Sequence, residues 1–330
     1  MSVLRVEILG GEAGAFTEAV LERDLRGVDD ALAWARELTE PPASRADLWE
    51  ALATVAAVDL GVARALEPHL DAMEILASAG KPRPDGAWGV FAAEGGDDPL
   101  RASESGGGWS LTGTKPWCSL ADRLDGALVT AALADGSRGL FAVDLTAPGV
   151  TVVAGMWVAR GLSEIPSGPV HFDEAFARMV GQTGWYLSRP GFAWGGIGVA
   201  ACWFGGAVGI GRTVHAAASA KPNPHLLAHL GAIDELLQSS RRALAEALTL
   251  IDAGTAEPRV LAKRVRATVA RACEEIVSRA GHALGPAPLA LDAAHAKRVT
   301  DLQLYVRQHH AERDQESLGE ALARSTVAPW

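Results

Sequence analysis

Along the chain, hydrophobic residues change their period twice. From about residue 12 to residue 79 they recur at helical steps. In the run RADLWEALATVAAVDLGVARALEPHLDAMEILA, the residues Leu48, Leu52, Val55, Val58, Leu60 and Val62 follow one another mostly three or four positions apart, as one face of a helix requires. Ser44 stands where an N-cap belongs, with Asp47 three residues on in the first turn. The segment Gly80–Gly86, GKPRPDG, packs two prolines and two glycines into seven residues, and helix is expected to stop there.

From about residue 87 the runs shorten and become β-prone: WGVFAAE, WSLTGTKPW, GALVTAAL, RGLFAVDL and GVTVVAG, separated by Gly, Asp, Ser or Pro turns, then PVHFD near 170. They predict a small antiparallel barrel or sandwich. No GxGxxG or GxxxxGK[ST] follows any of these strands, so neither usual nucleotide-binding fingerprint is present. Helical periodicity returns at about 188. Segments at about 226–254 and 257–284 are predicted helices, the second with Leu261, Val265, Val269 and Cys273 in steps of four, and one further helix is predicted over about 292–324. Helices, a β block and a helical bundle in that order make an α+β chain, not an alternating one. The expected divisions are 1–84, 85–182 and 183–330.

The stretch Gly191–Gly211 holds 21 uncharged residues, about the length that spans a bilayer. Eight of them are glycine, and an all-round apolar helix also suits the centre of a helical domain. We read it as a buried helix that needs partners on every side, and expect at least a homodimer. The chain has 330 residues, 48% hydrophobic, with 40 Asp+Glu against 30 Lys+Arg for a net charge of −10. That balance, without a long basic run, argues against nucleic acid or an anionic membrane as the main partner. Cys118, Cys202 and Cys273 are scattered, with no CxxC and no Cys/His cluster, so neither a disulfide framework nor a metal site is expected. With no basic stretch leading into an apolar one at the N-terminus, a cytoplasmic location is the expectation.

Gly106–Ala131, GGGWSLTGTKPWCSLADRLDGALVTA, resembles the middle-domain signature of the acyl-CoA dehydrogenases, a GxxLxGxKxWIT-type run leading into "AD" and a strand. PVHFDEAFA (Pro169–Ala177) is similar to the strand that closes that domain, and the α, β, α order matches. The resemblance implies a non-covalent FAD between the β domain and the C-terminal bundle. It places Trp117 against the isoalloxazine and the Ser119 hydroxyl on the flavin, in the triplet Trp117-Cys118-Ser119. A core strand aromatic and a turn serine would account for the same residues. The family's TEPxxGSD-like loop falls on Ala93-Glu94-Gly95-Gly96-Asp97-Asp98, where Glu94, Gly95 and Gly96 are the implied contacts; the Asp/Gly cluster also reads as a solvated turn. The RxxFGxPL…Q run is replaced by Ser219–Gly231, with neither the Arg nor the Phe and with Lys221 the nearby charge. His282 and Gly285 align with QxxGG, and His282 also reads as an ordinary helix-end histidine.

Typical members remove an α-proton from an acyl thioester with a Glu near the C-terminus. Counting from Asp301, that position is His309, followed by His310 and, one turn on, Glu312. The other family position for the base falls on Gly195. The implied base therefore lies among His309, His310 and Glu312, although HHAERDQE also has the charge spacing of a solvated helix end. The resemblance implies α,β-desaturation of an acyl-CoA or related thioester by an FAD-bound homodimer or homotetramer. The alternatives are a flavin monooxygenase on the same fold, and a degenerate subunit of a hetero-oligomer.

Overall fold

The computed structural model describes residues 3–38, 40–324 and 326–330. Four helices open the chain, α1 (Ala15–Glu22), α2 (Val28–Glu37), α3 (Arg45–Val58) and α4 (Leu60–Ser78). Ser44 caps α3 as the sequence predicts, its hydroxyl accepting from the Asp47 N–H. The Asp47 carboxylate accepts from the backbone N–H of Phe16 and Thr17, satisfying donors left open at the start of α1. Val58 departs from the expected apolar face and is exposed. Asp59 starts a new helix there, capping α4 through the N–H groups of Gly61 and Val62, and so the stripe breaks.

Seven strands follow: β1 (Trp88–Phe91), β2 (Arg101–Ser105), β3 (Gly108–Ser119), β4 (Gly126–Ala132), β5 (Arg138–Asp144), β6 (Val150–Val152) and β7 (Ser167–Met179). β4 pairs with β5 along its whole length on one edge, and on the other with β1 and, at Ala132, with β2. Since β2 pairs with β3, β3 with β7 and β7 with β5, the sheet closes on itself as a small barrel. Two pairings, β1–β4 and β2–β4, are parallel where antiparallel neighbours are expected. β2, with the sequence RASES, escapes the β-prone runs because a single residue of it is buried.

Beyond the barrel lie α5 (Trp185–Ser188), α6 (Pro190–Ala220), α7 (Pro224–Asp252), α8 (Pro258–Leu284), α9 (Pro286–Leu291), α10 (Ala293–Tyr305) and α11 (Glu312–Ala323). The helix expected over about 292–324 is thus interrupted. A 3₁₀ turn occupies Val306–Gln308, and Ala311 takes a left-handed φ of 45°, which a continuing helix does not admit. α6 contains Gly191–Gly211 and is long and apolar enough to cross a membrane, yet most of its apolar window is buried in this fold. Its cover comes from the same chain. A Cβ on Gly205 or Gly209 would run into the backbone carbonyls of Ala53 and Ala57 on α3, so these glycines let two helix backbones touch. α3 and α8 of the same chain pack along it, so its apolar surface does not by itself call for a second subunit.

Candidate functional site at the barrel–bundle junction

The end of β3 is irregular for a reason that bears on chemistry. Its register with β7 shifts between Lys115 and Cys118, and Trp117 and Leu120 both take left-handed φ values, 60° and 57°. Left-handed backbone in bulky residues is strain that surrounding structure must sustain, and it concentrates at functional positions. The bulge turns Cys118 inward, where its thiol meets the Lys115 carbonyl and burial pushes it up to about 12. Trp117 turns outward and is 64% exposed, so it is not a core aromatic. Opposite Cys118 in the register stands Gly168, and Met156 of the neighbouring loop lies beside that glycine, itself exposed. An open indole offers a face on which another planar ring can stack.

Ser119 is buried and fully engaged. It accepts from an Arg64 guanidinium N–H at 3.0 Å and donates to Ser167 Oγ at 2.7 Å, while Ser167 donates to the Ile165 carbonyl. A hydrogen bond from Ser119 to a flavin would have to displace the Ser167 contact. Glu94 is likewise committed: it accepts from Lys115 Nζ at 3.0 Å and from the Thr130 hydroxyl at 2.8 Å. Lys115 is fully buried in the barrel. Burial lowers its pKa, with Glu94 opposing, so Glu94 serves as its counter-ion. Gly95 and Gly96 are exposed, both at positive φ, with open space around them. Their N–H groups donate to no partner among the described residues and can meet a ligand oxygen.

From Ser119 a polar path runs through the interior to the C-terminal segment. Arg64 lies over the ring of Tyr305, Tyr305 meets Trp203 edge-on, and Arg266 stacks on Trp203 with its carbon 4.6 Å from the ring centroid. Arg266 then donates to the carbonyls of Gly196 and Gln308, which fixes the turn carrying His309. His309 is buried, its Nε2 has no hydrogen-bond partner among the described residues, and Asp314 Oδ2 stands 3.9 Å away. Burial lowers its pKa; Asp314 opposes and Arg266 adds, so the imidazole is neutral at pH 7. His310 and Glu312 are exposed, His310 facing Asp314 at 3.5 Å. Of the three base candidates, one is therefore inside. Trp117-Cys118-Ser119 and His309 lie at opposite ends of one connected path. His282 and Gly285 do not join it: His282 is exposed near the His229 ring, and Gly285 ends α8 at a positive φ.

Two groups escaped the sequence reading. Arg64, Glu67, Asp71 and Glu74 recur at steps of three, four and three on α4, which is one helix face. That periodicity was visible; what it faces was not. In the fold Glu67, Asp71 and Glu74 face Arg45 and Trp49 of α3 and Trp194 and Gly195 of α6, while Arg64 turns to Ser119 and Tyr305. The second group is Asp59, Glu164 and Asp301, whose carboxylates converge on Lys297 Nζ at 2.9, 2.6 and 2.7 Å. Although such a triad has the spacing of a cation site, the ammonium supplies the positive charge. Asp301 also accepts from the Leu162 N–H at 2.6 Å, tying α10 to the barrel's connecting loop.

No protein-family profile and no curated protein sequence matches the chain. Solved structures do. A KijD3 in complex with FMN and dTDP-3-amino-2,3,6-trideoxy-4-keto-3-methyl-D-glucose superposes with a TM-score of 0.77 at 20% identity, over 96% of each chain. FMN-bound TdsC, a dibenzothiophene monooxygenase from a Paenibacillus species, gives 0.79 at 18% identity, again over 96% of each chain. Butyryl-CoA dehydrogenase from Megasphaera elsdenii gives 0.75 at 17% identity, over 85% of this chain and 82% of that one. Such identities establish architecture. This chain has the α+β fold shared by acyl-CoA dehydrogenases and these FMN-binding proteins, as the resemblance in Gly106–Ala131 implied.

Proposed function

We propose that this protein is a flavin-dependent oxidoreductase that oxygenates a small organic substrate. The observation that carries the flavin is Trp117: a large aromatic, open to solvent, held in left-handed backbone at a strand bulge, in a fold whose solved relatives include FMN complexes. The isoalloxazine would lie on the indole, with the N–H groups of Gly95 and Gly96 available to its polar end. The Arg/Phe pair expected to hold FAD is absent, so these residues give FAD no advantage over FMN. When bound, the flavin supplies two-electron transfer and, once reduced, reactivity toward oxygen.

The choice of reaction rests on the C-terminal segment. Where a thioester dehydrogenase needs a carboxylate, this chain has His309, buried and neutral, with a free ring nitrogen. Such a group can accept one proton at that nitrogen, and the imidazolium formed would face the Asp314 carboxylate 3.9 Å away. The second reading, desaturation of an acyl thioester by an FAD-bound oligomer, is favoured by one observation: Asp71 presents a carboxylate opposite Gly195, close to the family's other base position. In either case a homodimer or homotetramer is our proposal, to be checked by light scattering.

Loading the purified protein with FMN or FAD and following the visible spectrum separates the readings. Oxygenation predicts that a panel of acyl-CoA thioesters leaves the flavin oxidised, and that with NADH and a flavin reductase supplying reduced flavin this protein places one atom of ¹⁸O₂ in an organic product and releases the other as water. Thioester-dependent bleaching under anaerobic conditions would establish desaturation instead. A chain that binds neither flavin would leave the degenerate-subunit reading.

A further inference from the structure

Two cations, both largely withdrawn from water, meet the ends of the β3 segment that carries Trp117, and they differ in what balances them. Lys115, two residues before Trp117, donates to Glu94 at 3.0 Å and to the Thr130 hydroxyl and carbonyl, each at 2.8 Å. Its charge is matched inside the barrel. Arg64 reaches the other end of the segment, at Ser119, from α4, and its charge is matched less closely. One terminal nitrogen donates to Ser119 Oγ at 3.0 Å. The other, Nη1, is buried with no hydrogen-bond partner among the described residues. Glu67 Oε2 stands 3.6 Å from it, beyond hydrogen-bond distance. Burial raises the Glu67 pKa against the pull of Arg64 and Arg266, so this acid gives up its proton less readily than a solvated one. The Tyr305 ring covers a further side of the guanidinium, whose carbon lies 5.8 Å from the ring centroid.

A serine hydroxyl has one proton and two lone pairs. At Ser119 the Arg64 N–H occupies one lone pair, and Ser167 spends its own proton on the Ile165 carbonyl. The Ser119 proton therefore goes to Ser167 Oγ at 2.7 Å, and it is the one Ser119 can offer a ligand. We propose that Arg64 is a positioning residue for the flavin, acting through Ser119: it keeps Ser119 a donor toward the ring and places a poorly balanced positive charge behind it, so that reduced flavin is held more tightly than oxidised flavin. The inference rests on the flavin reading of Trp117. The oxidised ring is neutral, and two electrons with one proton turn it into an anion. A cation stabilises that anion and not the neutral ring, and an interior of low dielectric preserves the attraction. Each tenfold preference for the reduced form raises the two-electron potential by about 30 mV. Lys115 adds little to this effect, because the Glu94 carboxylate opposes it at contact distance.

The test compares the dissociation constants of oxidised FMN and, under anaerobic conditions, of dithionite-reduced FMN at pH 8. Full-length wild type, Arg64→Lys, Arg64→Gln and Arg64→Met are measured, and the midpoint potential of the bound flavin is read against a reference dye. Wild type is expected to bind reduced FMN at least tenfold more tightly than oxidised FMN, with a potential about 30 mV or more above that of free FMN. Arg64→Lys, which keeps the charge, should keep most of that ratio, whereas Arg64→Gln and Arg64→Met should lower it tenfold or more. Lost packing alone would weaken both forms together and leave the ratio and the potential where they were. Equal binding of the two forms by wild type, a wild-type ratio in either neutral variant with its fold verified by circular dichroism, or an equal loss in Arg64→Lys would overturn the proposal. Should neither neutral variant fold, the wild-type ratio and its retention in Arg64→Lys decide. Wild type that binds neither form of FMN defeats the flavin reading and this inference with it; flavin binding without a preference for the reduced form defeats this inference alone.

Discussion

Replacing Asp71 with Asn is expected to make the protein more stable at alkaline pH and to leave it nearly unchanged at acid pH. The Asp71 carboxyl is raised from 3.8 to about 7, first by burial and then by Glu67, with Arg189 opposing and Glu74 adding. Other charged groups near it are Arg45 of α3 and, beside Glu67, Arg64 and Arg266. Between pH 4 and 7 the native state keeps a proton that the unfolded chain has lost, so stability falls as pH rises through that window. A shift of about three pH units, at about 1.36 kcal/mol each, amounts to about 4 kcal/mol between the two plateaus. Asn mimics the protonated acid in shape and does not ionise, so the variant lacks this loss. Urea unfolding of both proteins at pH 4.5 and pH 8 measures the difference between them, which cancels the titration of unrelated groups. The variant should match wild type at pH 4.5 and exceed it by about 2–4 kcal/mol at pH 8. If Asn destabilises at pH 8, or if the difference is the same at both values, the carboxylate is well solvated or well paired and the reasoning fails.

Three other outcomes follow from the packing and the charges. Gly205→Ala places a methyl group against the Ala53 carbonyl and should cost about 1–3 kcal/mol in chemical unfolding; full tolerance would mean that α3 and α6 are further apart than described. Lys297→Met leaves Asp59, Glu164 and the buried Asp301 without their shared cation. It should cost about 2–4 kcal/mol, less than a fully buried pair because the ammonium is 37% exposed, and an unchanged melting temperature would count against the hub. If His309 exchanges the reaction's proton as a base, turnover should rise with pH and level off below pH 6.5, because its pKa is lowered. His309→Ala should then lose roughly 10²-fold or more in kcat, and wild-type turnover in that variant would move the role elsewhere.

The order of helices, barrel and bundle could be read from hydrophobic period, because burial on one face imposes a period of two or near 3.6. Ser44 was legible for a local reason, the N-cap bond to Asp47 N–H. The site was legible only in part. The motif singled out Trp117 and Ser119 as candidates, but strand alternation cannot reveal that a left-handed residue at a bulge turns the indole out to solvent. HHAERDQE has the composition of a helix, and its break depends on Arg266 reaching from α8 to the Gln308 carbonyl, a contact between distant parts of the sequence. The α4 stripe had the right spacing, yet a charged stripe on a helix ordinarily faces water; here α3 and α6 cover it, and that is a tertiary fact.

The central claim is that a flavin rests on Trp117, and it is tested most directly by titrating FMN and FAD into wild type and Trp117→Ala, with flavin fluorescence as the signal. Of a Trp surface of roughly 250 Å², 64% is open, and a planar ring covering half of that removes about 80 Å² from water, worth about 2 kcal/mol. Aromatic contact adds about 0.5–1.5 kcal/mol. Wild type should bind one flavin per chain and quench its fluorescence, and Trp117→Ala should bind on the order of 10²-fold more weakly while unfolding at nearly the same urea concentration. Equal affinity and equal quenching in the two proteins, or no binding of either flavin to wild type, would contradict it.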